Sequence, residues 1–122
     1  MLRVLLVEDS KILAERVLET LEQMPDVEVV GTADTESGAV ALARAQNVDA
    51  IILDLQLKQG TGFGVLRALG KTRPVVIVLT NFSLPTFAER ARELGAEQFL
   101  DKGMDFDRLP AVLNRVKDSL NS

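Results

Sequence analysis

Short unbroken apolar runs alternate along this chain with longer stretches in which apolar residues recur every three or four positions. The unbroken runs are VLLV (4–7), AIIL (50–53) and VVIVL (75–79). Without polar alternation they predict strands buried on both faces, and so central in a sheet. VEVV (27–30) is interrupted by Glu28 and QFL (98–100) is short, so these two are predicted as edge strands. Between the runs the helical rhythm holds. Leu13, Val17, Leu18 and Leu21 share one face after Ser10, and an alanine-rich stretch runs to about Ala45. GFGVLRAL reads as a short helix, and a fourth helix opens at Ser83 and Pro85 and stops at Gly95. The last carries Leu109, Val112, Leu113, Val116 and Leu120. Pro110 is tolerated only where a backbone N–H would go unpaired, which predicts Asp107 rather than Asp105 as that helix's cap.

Strict strand–helix alternation predicts an α/β fold: a doubly wound five-stranded parallel sheet in the order 2-1-3-4-5, a flavodoxin-like three-layer sandwich. The 122 residues suit one domain, read as spanning 1–122. In such a sheet every strand ends at the same rim, where ligands bind. Four of the five runs end in polar residues: Glu8 and Asp9, Asp54, Thr80, then Asp101 and Lys102. Singly, most have ordinary explanations. Glu8, Asp9 and Ser10 suit the start of a helix, Thr80 is a common strand residue, and Lys102 beside Gly103 suits a solvated loop. Asp54 is less ordinary, because a carboxylate between Leu53 and Leu55 is costly unless it is paired or metal-bound. Joint placement on one rim is what points to a site.

Composition narrows the chemistry. The chain has no cysteine and no histidine, which excludes disulfides, thiolate and imidazole catalysis and most transition-metal sites. A net charge of −4 without clustered Lys and Arg argues against direct nucleic-acid binding. No apolar run is long enough for a membrane span and no signal segment is readable, so a cytoplasmic location is expected. Crowded carboxylates repel unless a cation intervenes, and a hard cation with few carboxylates, water and phosphate in its shell describes Mg²⁺. A carboxylate beside it can attack phosphorus, while a hydroxyl and an ammonium serve as donors to the phosphoryl oxygens. The carboxylates of Glu8, Asp9 and Asp54, with Thr80 and Lys102, are thus a set able to accept a phosphoryl group.

Those residues, in VEDS, IILDLQL, VVIVLTN and QFLDKG, resemble the response regulator receiver domains of two-component signalling, over essentially the whole chain. The resemblance implies that Asp54 is the phosphoacceptor. It implies that Asp9, Asp54 and the backbone carbonyl of Gln56 bind Mg²⁺, with Glu8 acting through water. Thr80 would bond a phosphoryl oxygen and shift toward it, Lys102 would pair with the phosphate, and the Phe99 ring would turn inward as a switch. The implied partners are a histidine kinase or histidine phosphotransfer protein and a downstream target protein, with a homodimer also possible. The protein would catalyse its own phosphorylation and dephosphorylation without turning over an external substrate.

The chain departs from the receiver pattern where Gly103 follows Lys102 in place of proline. KQGTGFG also lacks the usual proline, and its three glycines suggest a mobile loop beside Asp54. Asn81 is larger than the small residue often found after the switch threonine. Phe82 cannot orient water, so slow self-dephosphorylation is expected. Rival readings are a phosphorylation-independent interaction module, a haloacid-dehalogenase-like phosphatase and a flavin-binding module. The second needs a nucleophile after the first strand with an Asp two positions on, and Gln56 stands two after Asp54. The third lacks Trp or Tyr to stack on the ring. If residues 1–122 are the whole product, the expected output is protein contact through the fourth and fifth helices and the fifth strand.

Overall fold

A computed structural model describes residues 1–70 and 74–121. Its strands are β1 (Leu2–Val7), β2 (Val27–Ala33), β3 (Ala50–Leu53), β4 (Val75–Thr80) and β5 (Ala96–Asp101). Its helices are α1 (Lys11–Glu22), α2 (Glu36–Ala45), α3 (Gly62–Leu69), α4 (Pro85–Glu93) and α5 (Leu109–Leu120). All strand pairs are parallel and the order is β2-β1-β3-β4-β5.

The unbroken apolar runs follow from this layering. Leu2, Val4 and Leu6 of β1, Ala50 and Ile52 of β3, and Ile77 and Leu79 of β4 pack with Val17 and Leu21 of α1 and with Leu109, Val112, Leu113 and Val116 of α5. Their neighbours Leu5, Val7, Ile51, Leu53, Val76 and Val78 point the other way, against Ala39 of α2, Val65 and Leu66 of α3, and Ala91 of α4. Side chains of a strand alternate faces, so a strand covered on both must be apolar throughout. β3 is buried along its whole length, whereas β2 is only half-buried.

Two edges are longer than their hydrophobic pattern suggests. β2 runs on through Gly31, Thr32 and Ala33, which pair with Leu5, Leu6 and Val7 after a bulge at Val4/Leu5. Backbone pairing, not side-chain burial, carries the strand there. The expected cap of the last helix is corrected. A single 3-10 turn, Phe106–Arg108, precedes α5, so Arg108 rather than Asp107 occupies the cap position, with no side-chain bond. That turn is anchored on Asp105, whose carbonyl accepts from the Arg108 N–H at 2.9 Å and whose carboxylate accepts from the Asp101 N–H at 3.0 Å. α4 begins at Pro85, where its start is expected, and Leu84 precedes it, again without a side-chain cap. In both helices proline in the first turn leaves one fewer N–H to satisfy.

Candidate functional site

Strand register brings the polar residues together. Val7 lies opposite Leu53, Leu53 opposite Val78, and Thr80 opposite Asp101. The ladder continues one step past the strands: the Asp54 N–H donates to the Val7 carbonyl at 3.0 Å and the Lys102 N–H to the Thr80 carbonyl at 3.0 Å. Backbone pairing therefore fixes where each side chain emerges.

The result is a buried, charged cluster. Asp54 is 5% exposed, Glu8 and Lys102 each 7%, and Thr80 is fully buried. The Lys102 ammonium donates to Glu8 Oε1 at 2.8 Å and to Asp54 Oδ2 at 2.9 Å. The Thr80 hydroxyl donates to Asp54 Oδ1 at 2.8 Å. Thr80 Oγ1 in turn accepts from the Phe82 N–H at 3.2 Å, and Glu8 Oε2 accepts from the Ser10 N–H at 3.1 Å. Both Asp54 oxygens are thus bonded, and the carboxylate has one orientation.

Burial, above all, holds the Glu8 carboxyl above its usual range; repulsion from Asp54 adds to this, while the bonds from Lys102 and the Ser10 N–H pull it back. Burial would by itself lower the Lys102 ammonium. The bonds to Glu8 and Asp54 outweigh it, and the net shift is upward.

Asp9 completes an acidic group. One carboxylate oxygen from each of Glu8, Asp9 and Asp54 lies within 4.8 Å of the others. Three carboxylates against the one ammonium of Lys102 leave two negative charges, matching one divalent cation. The donors are all oxygen, with no imidazole or thiolate in the sequence, which favours a hard cation such as Mg²⁺. A groove of about 550 Å³, lined in part by Glu8, Asp9, Lys11, Thr32, Asp34 and Lys58, opens beside them.

The loop after Asp54 is tied down rather than loose. Gln56 and Thr61 form an antiparallel bridge, and the Gly62 N–H donates to the Leu55 carbonyl at 2.9 Å. A Cβ at Gly62 would collide with the Asp54 carbonyl oxygen and lie 2.9 Å from the Leu55 Cα. Glycine is there for close backbone approach, not mobility. Gly62→Ala is accordingly expected to cost about 2 kcal/mol and to displace the Asp54 loop. Denaturant unfolding, with amide shifts of residues 54–56, checks this; an unchanged midpoint and unchanged shifts would refute it.

The remaining residues expected at the site lie around it. Phe82 is 40% exposed, with its ring edge-on to Phe87 at 5.9 Å between centroids, and offers no polar side-chain atom to a water. Phe99 is half-buried on the face covered by α2, α3 and α4. The Gly103 N–H donates to Asp101 Oδ1 at 2.7 Å, as does the Met104 N–H at 3.0 Å. The Ser83 hydroxyl and these two N–H groups hold the Asp101 carboxyl below the usual range. Proline at 103 would lack that N–H, so glycine lets Asp101 shape the turn after Lys102.

Comparison with known proteins gives a consistent picture. A family model described as the response regulator receiver domain matches residues 4–114. The protein-glutamate methylesterase/protein-glutamine glutaminase of Methylobacillus flagellatus is 33% identical over 104 residues, 83% of this chain and 29% of that protein. The sensory transduction protein LytT of Bacillus cereus is 28% identical over 124 residues, covering 100% of this chain and 50% of that protein. The chain spans half or less of the length of these relatives. Among solved structures, the response regulator domain of Thermotoga maritima CheB superposes with a TM-score of 0.86 at 25% identity, covering 100% of this chain and 98% of that one. The signal receiver domain of NarL from Mycobacterium tuberculosis gives 0.84 at 28% identity, covering 95% and 96%.

Proposed function

The chain belongs to the response regulator receiver domain family, and from that premise we propose that it is a phosphoacceptor switch in which Asp54 takes a phosphoryl group from a phosphohistidine on a partner kinase or phosphotransfer protein. The observation that carries this reading is Asp54 itself: a buried carboxylate held by Thr80 on one oxygen and Lys102 on the other, beside two further carboxylates. In the transfer an Asp54 oxygen forms a bond to phosphorus as the phosphorus–nitrogen bond of the donor breaks and the imidazole leaves. Asp9, Asp54 and the Gln56 carbonyl would hold Mg²⁺, with Glu8 acting through water. When bound, the ion would supply charge neutralisation to the phosphoryl oxygens.

This chain's own residues do the rest. Lys102 passes from the Asp54 oxygen to a phosphoryl oxygen, keeping a cation against the added charge of about −1.5 to −2. The Thr80 hydroxyl follows in the same way, drawing the end of β4 toward the phosphate. Phe99, next but one before Asp101 on the adjoining strand, is placed to respond. The output is a changed α4–β5–α5 surface for a downstream target protein. Phe99→Ala is expected to leave phosphorylation intact but to shrink the phosphorylation-dependent amide shifts across α4, β5 and α5; shifts equal to wild type would count against a switching role.

The whole reading is tested by incubating the protein with a small phosphodonor and Mg²⁺ and recording intact and peptide masses. One phosphoryl group is expected, on the peptide containing Asp54, and chelation of the metal should suppress it. No added mass, or mass on another peptide, would overturn the proposal. An interaction module that never takes phosphate would leave the four buried polar residues without a chemical reason to be gathered there.

A further inference from the structure

Beyond the residues that face the site, one carboxylate reaches from a neighbouring helix into the loop that follows Asp54. Glu36 is the first residue of α2, where an acidic side chain would be favourable for the helix dipole alone. Its contacts go elsewhere. Glu36 Oε1 accepts from the Thr61 N–H at 3.0 Å, and the Glu36 N–H donates to the Gln59 carbonyl at 2.9 Å. The Glu36 side chain also fills the space that a Cβ would need at both Gly60 and Gly64. Gly60 is further restricted by its φ of 78°. Nearby, the Lys58 N–H donates to the Asp34 carbonyl at 3.0 Å, and the Lys58 ammonium pairs with the Asp34 carboxylate at 3.1 Å.

The two glycines and the glutamate form one device, legible only in three dimensions. Glycines at 60 and 64 leave a slot, the Glu36 carboxylate occupies it, and the acceptor it provides captures the Thr61 amide. Thr61 is the partner of Gln56 across the antiparallel bridge, and its hydroxyl caps α3 by accepting from the Gly64 N–H at 3.2 Å. A tether on Thr61 is therefore a tether on the segment of backbone that carries the Gln56 carbonyl.

We propose that Glu36 is a positioning residue for the Mg²⁺ site: by clamping residues 59–64 to the start of α2 it fixes the Gln56 carbonyl as a metal ligand. This rests on the phosphoacceptor reading above. Groups that orient metal ligands commonly matter about 10- to 100-fold in affinity, and Glu36 acts at one remove, so the lower end is expected.

Calorimetric Mg²⁺ titration of the full chain, paired with amide hydrogen exchange at Thr61, tests this. Glu36→Ala should weaken Mg²⁺ binding about 10-fold and speed exchange at Thr61. Glu36→Gln, which keeps an acceptor oxygen in the slot, should restore both. Gly64→Ala, which expels the carboxylate without removing it, should reproduce the loss and provides a second arm should Glu36→Ala fold poorly. Wild-type affinity and exchange in Glu36→Ala, alongside normal phosphorylation of wild type, would overturn the clamp and leave the phosphoacceptor reading standing. Wild-type protein that neither binds Mg²⁺ nor takes phosphate would overturn both.

Discussion

Asp54→Asn is expected to abolish phosphoryl uptake completely while making the fold slightly more stable than wild type. The amide is no nucleophile toward phosphorus, so the added mass seen with wild type should vanish. Its carbonyl oxygen still accepts from the Thr80 hydroxyl, now 2.8 Å from Asp54 Oδ1, so that bond has a neutral substitute. Lys102 keeps Glu8 as its counter-ion at 2.8 Å. One buried negative charge disappears, and with it the repulsion that helps raise the Glu8 carboxyl. Relief of the repulsion among Glu8, Asp9 and Asp54 is partly offset by the amide –NH2, which turns a donor toward the Lys102 ammonium, and a net gain of about 1 kcal/mol is expected here. Intact mass after incubation with a phosphodonor reads the first effect, and thermal unfolding reads the second. Continued labelling would dismiss Asp54 as the acceptor. A markedly lower Tm would mean instead that the Asp54–Lys102 pair contributes net stability.

Burial explains which parts of this fold were legible in the sequence. β1, β3 and β4 are covered on both faces, so hydrophobicity alone marks them, and the polar residue that ends each stands out because a polar group there needs a reason. Asp54 is readable on that ground, and Glu8, Thr80 and Lys102 through their joint placement on the same rim; the structure brings all four into one hydrogen-bonded cluster. Elements ruled by backbone pairing were less legible. Gly31–Ala33 of β2 carries no strand pattern of its own and is held by β1. The turn before α5 depends on Asp105, which bonds Asp101 across the loop, so a cap assigned from spacing alone fell on Asp107. The glycines of KQGTGFG looked like mobility because sequence cannot show what fills the space beside them. At Gly62 it is the Asp54 backbone, and at Gly60 and Gly64 it is Glu36, a residue that no local pattern links to that loop.

Lys102→Ala should be the most damaging single change, costing about 3–5 kcal/mol, because it leaves two buried carboxylates facing each other without a cation. Glu8 and Asp54 meet that ammonium at 2.8 and 2.9 Å and have little solvent to replace it. Removing it also removes the bond that pulls the Glu8 carboxyl down, so Glu8 should rise further and hold a proton nearer neutrality. A carboxyl raised in the folded state stabilises most below the ordinary carboxylate range, and that contribution is lost as pH climbs through the raised value. The variant should therefore regain Tm as pH falls from neutrality toward that range. In wild type the raised Lys102 ammonium contributes stability up to the ordinary lysine range, and loses it only as alkaline pH passes through its raised value. Divalent cation should rescue the variant in the same way as acid, since either relieves the same repulsion. Phosphoryl uptake should fall by about 100-fold, the usual consequence of losing one preorganised donor to a developing oxyanion. Thermal unfolding across pH, with and without Mg²⁺, distinguishes this account from simple loss of packing. A cavity left by an alkyl chain would cost the same at every pH, whereas an uncompensated charge pair is relieved by whatever neutralises it.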